Sequence, residues 1–177
     1  MDSSLSGFVQ RAAGKPEVKL KFLNRLDEGR ITRHENPASH VCVYFAAFDP
    51  TNRSVFIGHH KKSGLWLFNG GHIDPGEMPT DTLIRESQEE WGIAMDPADI
   101  PDPSLVTITE IEHPEQQVCE WHYDLWYFLQ FSAGTFGPDP DALATEFFET
   151  GWHTYDQAKA RMVDPASREA IEFLENS

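Results

Sequence analysis

Three carboxylates at positions 86, 89 and 90 can hold a hard divalent cation. At about 100° per residue of helix, Glu86, Glu89 and Glu90 share one stripe of the segment PTDTLIRESQEEW, while Leu83, Ile84, Ser87 and Trp91 share the neighbouring one. The first stripe is expected to face a ligand and the second a core. Carboxylates crowded on one face raise one another's pKa unless a cation neutralises them. Oxygen-only ligation suits Mg²⁺ or Mn²⁺, which bind few carboxylates and keep positions open for water and substrate phosphate. Arg85, four residues before Glu89, can pair with it or with Glu77 and hold the cluster in place. An isolated acidic run with one arginine is equally a solvated helix face, so the surrounding pattern has to decide.

The element that positions these groups spans residues 71–93. It is expected to open as a glycine turn, run through an acidic loop and become a helix that stops at Gly92. Pro79 suits the first helical turn, where a missing N–H costs nothing, and Asp81 complements the positive helix end. Gly92 can take the left-handed cap after Trp91.

A second constellation lies at 118–130. Strand alternation puts Glu120, His122, Asp124, Trp126 and Phe128 on one face and Cys119, Trp121, Tyr123, Leu125 and Tyr127 on the other. A half-buried strand carrying E-x-H-x-D on one side is unusual for a core. His72 sits in the acidic loop segment, and His40 starts the first sheet strand.

The chain has 177 residues and a net charge of -15, and one domain with a full core is the default. The negative charge argues against nucleic acid or an anionic membrane as the main partner. A small phosphate ligand bridged by a metal escapes that objection. Cys42 and Cys119 lie in apolar, strand-like runs and are expected as buried thiols, with a disulfide as the minor alternative. No apolar run is long enough to span a bilayer, and the N-terminus lacks an apolar signal core, so a cytoplasmic location is expected.

In chain order, residues 1–13 are small and polar and are expected to fray. Residues 17–28 place Leu20, Leu23 and Leu26 among Lys19, Lys21 and Arg25, the pattern of an amphipathic helix that closes at Gly29, with its basic face solvated. Residues 1–37 are thus expected as an N-terminal helical extension and 38–177 as the main domain, with a homodimer through the N-terminal segment as the expected assembly. HVCVYFAAF, SVFIGHH and LWLF read as strands separated by turns at DPTNR and KKSG. Residues 105–112 and 118–131 read as strands around the turn HPEQQ, and 132–142 as loop. FFETGWHTY contains a further strand, and 156–174 carry helical segments. Strands around one central helix with late helices imply an α/β sandwich with a mixed sheet.

Residues 71–93 resemble the Nudix box: Gly, five residues, Glu, seven residues, Arg-Glu, an aliphatic, any residue, Glu-Glu, any residue, Gly, an aliphatic. Gly71, Glu77, Arg85, Glu86, Glu89, Glu90, Gly92 and Ile93 fill it in register, with Ser87 the departure at the first aliphatic position. The resemblance covers roughly 38–165 and implies a Nudix-type α/β/α sandwich. It also implies a hydrolase that cleaves a diphosphate linkage in a nucleoside diphosphate joined to another group. Mg²⁺ or Mn²⁺ on Glu86, Glu89 and Glu90 would screen the diphosphate, polarise a P–O bond and acidify a water. Attack would then be in line, with the catalyst supplying position and electrostatics. By carry-over, the Gly70 carbonyl is a further metal ligand, Glu77 and Arg85 support the ligands, and a later-loop glutamate, Glu149 ahead of Glu146, is the expected base or extra metal contact. Asn69 replaces a proline often found before the paired glycines.

The histidine positions are similar to those of isopentenyl-diphosphate isomerase, a Nudix-fold relative with a histidine-rich metal site. That likeness suggests a second metal or phosphate site at His40, His72, His122 and Asp124, where imidazole plus carboxylate favours Mn²⁺, Zn²⁺ or Fe²⁺ over Mg²⁺. The alternative is that these histidines hydrogen-bond nearby backbone and carboxylates. The isomerase is also the rival function, although Gly70 stands where that family has its cysteine. A non-catalytic nucleotide sensor is the other alternative. Substrate markers of the ADP-ribose, dinucleoside-polyphosphate, NADH and coenzyme A hydrolases lack clear counterparts, so the substrate remains an unspecified small-molecule diphosphate.

Overall fold

The computed structural model describes residues 4–111 and 118–177; the turn expected at HPEQQ lies outside them. The strands are β1 (Ser39–Asp49), β2 (Ser54–His60), β3 (Trp66–Leu67), β4 (Asn69–His72), β5 (Leu105–Glu110), β6 (Trp121–Gln130) and β7 (Phe147–Thr154). The described α-helices are α1 (Leu5–Arg11), α2 (Pro16–Asp27), α3 (Pro79–Trp91), α4 (Pro140–Glu146), α5 (Tyr155–Arg161) and α6 (Pro165–Glu175).

All seven strands join one mixed sheet of order β3-β2-β1-β6-β5, with β4 paired to β1 and β7 to β2. β1 runs parallel to β6, and the other pairings are antiparallel. A parallel pair in the middle of a sheet is covered on both faces, which is why β1 and β6 are apolar along most of their length. Val41, Val43 and Phe45 of β1 pack with Phe22 of α2 and with Leu83 and Trp91 of α3. The alternate face puts Ala46 and Trp126 with Ala158 of α5 and Ala170 and Ile171 of α6. The architecture is an α/β/α sandwich with a mixed sheet.

The N-terminal segment departs from expectation. Instead of fraying, residues 5–11 form α1: Ser4 Oγ accepts a hydrogen bond from the Gly7 N–H at 3.1 Å, an N-cap, and Phe8 and Val9 are buried. In α2 Leu23 and Leu26 pack against the core as expected, but Leu20 is 61% exposed and the fully buried anchor is Phe22. The basic face is not wholly solvated either. Arg25 is 4% exposed and donates to the carbonyls of Gly29, Arg30 and Ser39 at 2.8, 2.9 and 2.5 Å and to Ser39 Oγ at 3.1 Å. It bolts the end of α2 to the first residue of β1. Phe22, with Val18, Leu23 and Leu26 beside it, packs α2 on the chain's own core.

Two other elements differ from the sequence reading. Residues 140–142 belong to α4, whose start is marked by Asp139 accepting from the Asp141 N–H at 2.9 Å and by Pro140 in the first turn. β6 begins at Trp121, so the alternation does not extend back to Cys119, whose Sγ lies 3.8 Å from His40 Nε2. Both cysteines are free and buried. Among the described residues no helix is long and apolar enough to cross a membrane.

Candidate active site

α3 is built to hold one face rigid. Pro79 occupies its first turn, and the Met78 N–H donates to Asp81 Oδ2 at 2.9 Å. At the other end Gly92 takes φ 66°, donating to the Gln88 carbonyl at 3.1 Å, while the Ile93 N–H reaches the Ser87 carbonyl at 3.2 Å. A Cβ on Gly92 would lie 2.6 Å from Asp139 Cβ, so glycine is demanded by backbone conformation and by space. Ser87, the departure from the box pattern, is fully buried, and its hydroxyl has the Ile84 and Ile93 carbonyls at 2.9 and 3.1 Å. A hydrogen bond replaces the packing an aliphatic side chain would supply there.

Arg85 organises the carboxylates. Its Nε donates to Glu77 Oε1 at 2.8 Å and its Nη2 to Glu77 Oε2 at 3.1 Å, a two-pronged pairing. Nη1 donates to Glu86 Oε1 at 2.7 Å and lies 3.5 Å from Glu89 Oε2, while Nη2 also donates to the His72 carbonyl at 3.0 Å. Glu77 accepts further from Thr82 Oγ1 at 2.8 Å and the Asp74 N–H at 3.1 Å. These donors, Arg85 first, pull the Glu77 pKa down to about 2. Arg85 is in turn held firmly charged by Glu77 and Glu86.

The helix carboxylates stand in three environments. Glu89 is exposed. Glu86 is partly buried, and burial pushes its pKa up even beside Arg85. Glu90 is buried, accepts a hydrogen bond from Asn69 Nδ2 at 2.6 Å, and is driven up to about 8 by burial, with Glu86 and Glu146 adding repulsion. Among the described residues no lysine or arginine pairs with Glu90, since Arg85 is engaged with Glu77, Glu86, Glu89 and Asp74. A divalent cation fits this set: every donor is oxygen, and the buried carboxylate becomes comfortable as an anion only when positive charge is supplied. The paired glycines make room. A Cβ on Gly71 would meet Glu86 Oε1 at 1.7 Å, and one on Gly70 the Val43 carbonyl oxygen at 2.5 Å. The Gly70 backbone also hydrogen-bonds Glu90.

The structure thus brings Gly70, Glu77, Arg85, Glu86, Glu89 and Glu90 together. Glu149 is exposed on β7 opposite His59. Glu146 is the later glutamate whose charge reaches Glu90, and its Oε2 lies 3.5 Å from His60 Nε2. It sits where α4 hands over to β7, a junction hidden while that stretch reads as loop. Beside the box, a cleft of about 550 Å³ is lined by Glu86, Arg85, Asp74 and His72 together with Arg33 and His34.

The histidines also converge. His40, His72 and His122 have ring centroids 4.8–5.3 Å apart, and burial lowers all three pKa values, those of His72 and His122 to about 3. The fourth member of the convergent set is Cys42, not Asp124. Asp124 Oδ2 accepts from Thr107 and Thr109 hydroxyls at 3.0 and 2.6 Å, and burial raises its pKa to about 7. Cys42 was legible in principle: it lies two residues after His40 on a strand and therefore on the same face. Asn69 was legible only as a departure from a pattern, since its partner Glu90 is 21 residues away.

Residues 38–174 match the family model described as NUDIX domain. The chain is similar to Nudix hydrolase 3 of Caenorhabditis elegans, 30% identical in an alignment of 105 residues that covers 51% of this chain and 42% of that one. It is also similar to putative nudix hydrolase 1 of the same organism, at 22% identity over all of this chain and 45% of the relative. The chain therefore spans less than half the length of these relatives. Among solved structures, the E. coli dihydroneopterin triphosphate pyrophosphohydrolase superposes with a TM-score of 0.64 at 18% identity, over 77% of this chain and 96% of that one, a likeness of fold.

Proposed function

The chain belongs to the NUDIX domain family, and from that premise we propose that it is a divalent-cation-dependent hydrolase cleaving a diphosphate linkage in a nucleoside diphosphate joined to another group. The observation that carries this reading is the state of Glu90, a buried carboxylate with no cationic partner among the described residues, beside two more carboxylates held by Arg85. Glu86, Glu89, Glu90 and the Gly70 carbonyl would hold Mg²⁺ or Mn²⁺. The cation would supply charge screening and Lewis acidity.

The chain's own residues do the rest. Arg85 orients Glu86 and Glu89 and, through its two-pronged bond, uses Glu77 as a fixed abutment. Asn69 keeps the Glu90 carboxylate aimed. Arg33 and His34, which line the same cleft as Glu86, would offer positive and hydrogen-bonding groups to the non-reacting part of a diphosphate substrate. Glu146 is the later glutamate best placed to accept a proton from the attacking water, through its electrostatic proximity to Glu90.

A panel of nucleotide sugars, dinucleotides, nucleoside triphosphates and isoprenoid diphosphates, each with Mg²⁺ and Mn²⁺, tests the reading. Metal-dependent release of two phosphate-bearing products from a diphosphate-linked nucleotide is expected. Isomerisation of the isoprenoid without hydrolysis, or no turnover across the panel, would overturn it.

A further inference from the structure

Three imidazoles and one thiol meet on the face of β1 opposite Val41 and Val43. His40 and Cys42 share that face by strand alternation. The parallel register sets His40 beside His122 of β6, and the antiparallel register sets Cys42 across from His72 of β4. One ligand atom from each of the four residues lies within 4.8 Å of all the others. His40 and Cys42 are buried.

The hydrogen-bond census leaves this cluster short of protons and partners. His40 Nδ1 lies 3.1 Å from the Asn36 carbonyl oxygen. A carbonyl can only accept, so Nδ1 carries the proton and Nε2 presents a lone pair, whose partner is the Cys119 thiol with Sγ at 3.8 Å, a weak donor that a metal would displace. Both ring nitrogens of His122 are buried with no hydrogen-bond partner among the described residues. Buried polar atoms are nearly always satisfied, and an orphaned imidazole pressed against two others calls for an acceptor of lone pairs.

We propose that His40, Cys42, His72 and His122 bind one Zn²⁺ in a closed tetrahedral site, separate from the box carboxylates. Zinc bonds to imidazole nitrogen and thiolate sulfur place tetrahedral ligand atoms about 3.3–3.6 Å apart, so a contraction of roughly 1 Å closes the site. The Cys42 thiol gives its proton to solvent on binding, and the imidazoles bind as neutral bases. A thiolate in the set, in place of the Asp124 carboxylate, turns the preference toward zinc and away from manganese. Asp124 is held through Oδ2 by Thr107 and Thr109, while its Oδ1 is buried without a hydrogen-bond partner among the described residues, and it is not one of the four residues whose ligand atoms converge.

A closed four-ligand site is structural: it fastens β4 to β1 and β6. It also bears on the box, because the His72 carbonyl accepts from Arg85. A clamp on His72 steadies the strand that carries Gly70 and Gly71. Nothing in the zinc assignment depends on hydrolysis, so its failure and that of the hydrolase reading are separable.

The full chain, with any affinity tag removed and metal stripped, is titrated with Co²⁺ and then Zn²⁺. One equivalent of Co²⁺ is expected to produce intense tetrahedral visible bands and a thiolate-to-cobalt charge-transfer band, both displaced by Zn²⁺. Glu89→Gln keeps the charge-transfer band, Cys42→Ser loses it, and His122→Ala loses the bound equivalent of zinc. Zn²⁺ raises the melting temperature of wild type but not of Cys42→Ser. Absence of the charge-transfer band in wild type overturns the proposal whatever the variants do, and a band that survives Cys42→Ser overturns the assignment of its sulfur.

Discussion

The Asn69 side-chain amide donates a 2.6 Å hydrogen bond to the Glu90 carboxylate from the strand that carries the paired glycines. A proline at this position could make no such bond. The chain holds the most buried of the three helix carboxylates from the sheet side, while Arg85 holds the other two from the helix side.

Removing that support is expected to loosen the ligand without unfolding the domain. In Asn69→Ala the Mn²⁺ dissociation constant should rise about 10- to 100-fold, the usual effect of losing a residue that orients a metal ligand. Calorimetric titration checks this, and an unchanged constant would remove Asn69 from the site.

Glu90 makes metal-free stability depend on pH. Its folded pKa of about 8 lies above the ordinary 4.5, so the folded state holds a proton that the unfolded state releases between those values. Stability without metal should therefore fall as pH rises from about 4.5 to 8. In chelator, Glu90→Gln should melt higher than wild type at pH 8, with the gap closing toward pH 5. Cation affinity should gain up to about tenfold per pH unit over the same window, as binding displaces that proton. Flat profiles would contradict the assignment.

Glu77 works in the opposite sense. Its folded pKa of about 2 lies below 4.5, so its contribution is present above about 4.5 and is lost as pH falls toward 2. Glu77→Gln should be less stable than wild type at neutral pH, and the difference should shrink through that acid window. Urea midpoints measured across it are the check; a constant difference would mean that the pairing with Arg85 is not its source.

Arg25 lies far from the box in sequence and ties α2 to β1 through four acceptors. Arg25→Ala leaves three part-buried carbonyls without this donor and is expected to cost about 3 kcal/mol, lowering Tm by roughly 6–12 °C for a chain of this size. Mn²⁺ binding at the box should be unchanged. A variant that melts with wild type would show α2 to be held by its apolar contacts, Phe22 foremost, and not by Arg25.

Local chemistry made much of this readable from the residues. Pro79, Asp81 and Gly92 mark the ends of α3 because caps are decided within one turn, and the period of its glutamates sets their common stripe. Partners brought in by tertiary structure were less legible. Leu20 and Phe22 lie about 200° apart on α2, so only one of them can face the sheet, and only the packing on β1 shows that it is Phe22. Arg25 reads as a surface charge until the Gly29, Arg30 and Ser39 carbonyls are placed around it. Glu146 and Glu149 could not be ranked by spacing, because the choice depends on where α4 ends and β7 begins. Cys42 joins the histidines through a strand pairing that brings together residues 30 apart in sequence, Cys42 and His72.

The central claim is that the α3 carboxylates hold a divalent ion against a diphosphate. Its most direct test is turnover of a diphosphate-linked nucleotide by Glu89→Gln against wild type at saturating Mg²⁺. Glu89 is exposed, so the fold should survive the change. A loss on the order of 100-fold or more is expected, with melting unchanged. Turnover at the wild-type rate, or turnover in wild type that persists in excess chelator, would contradict the account.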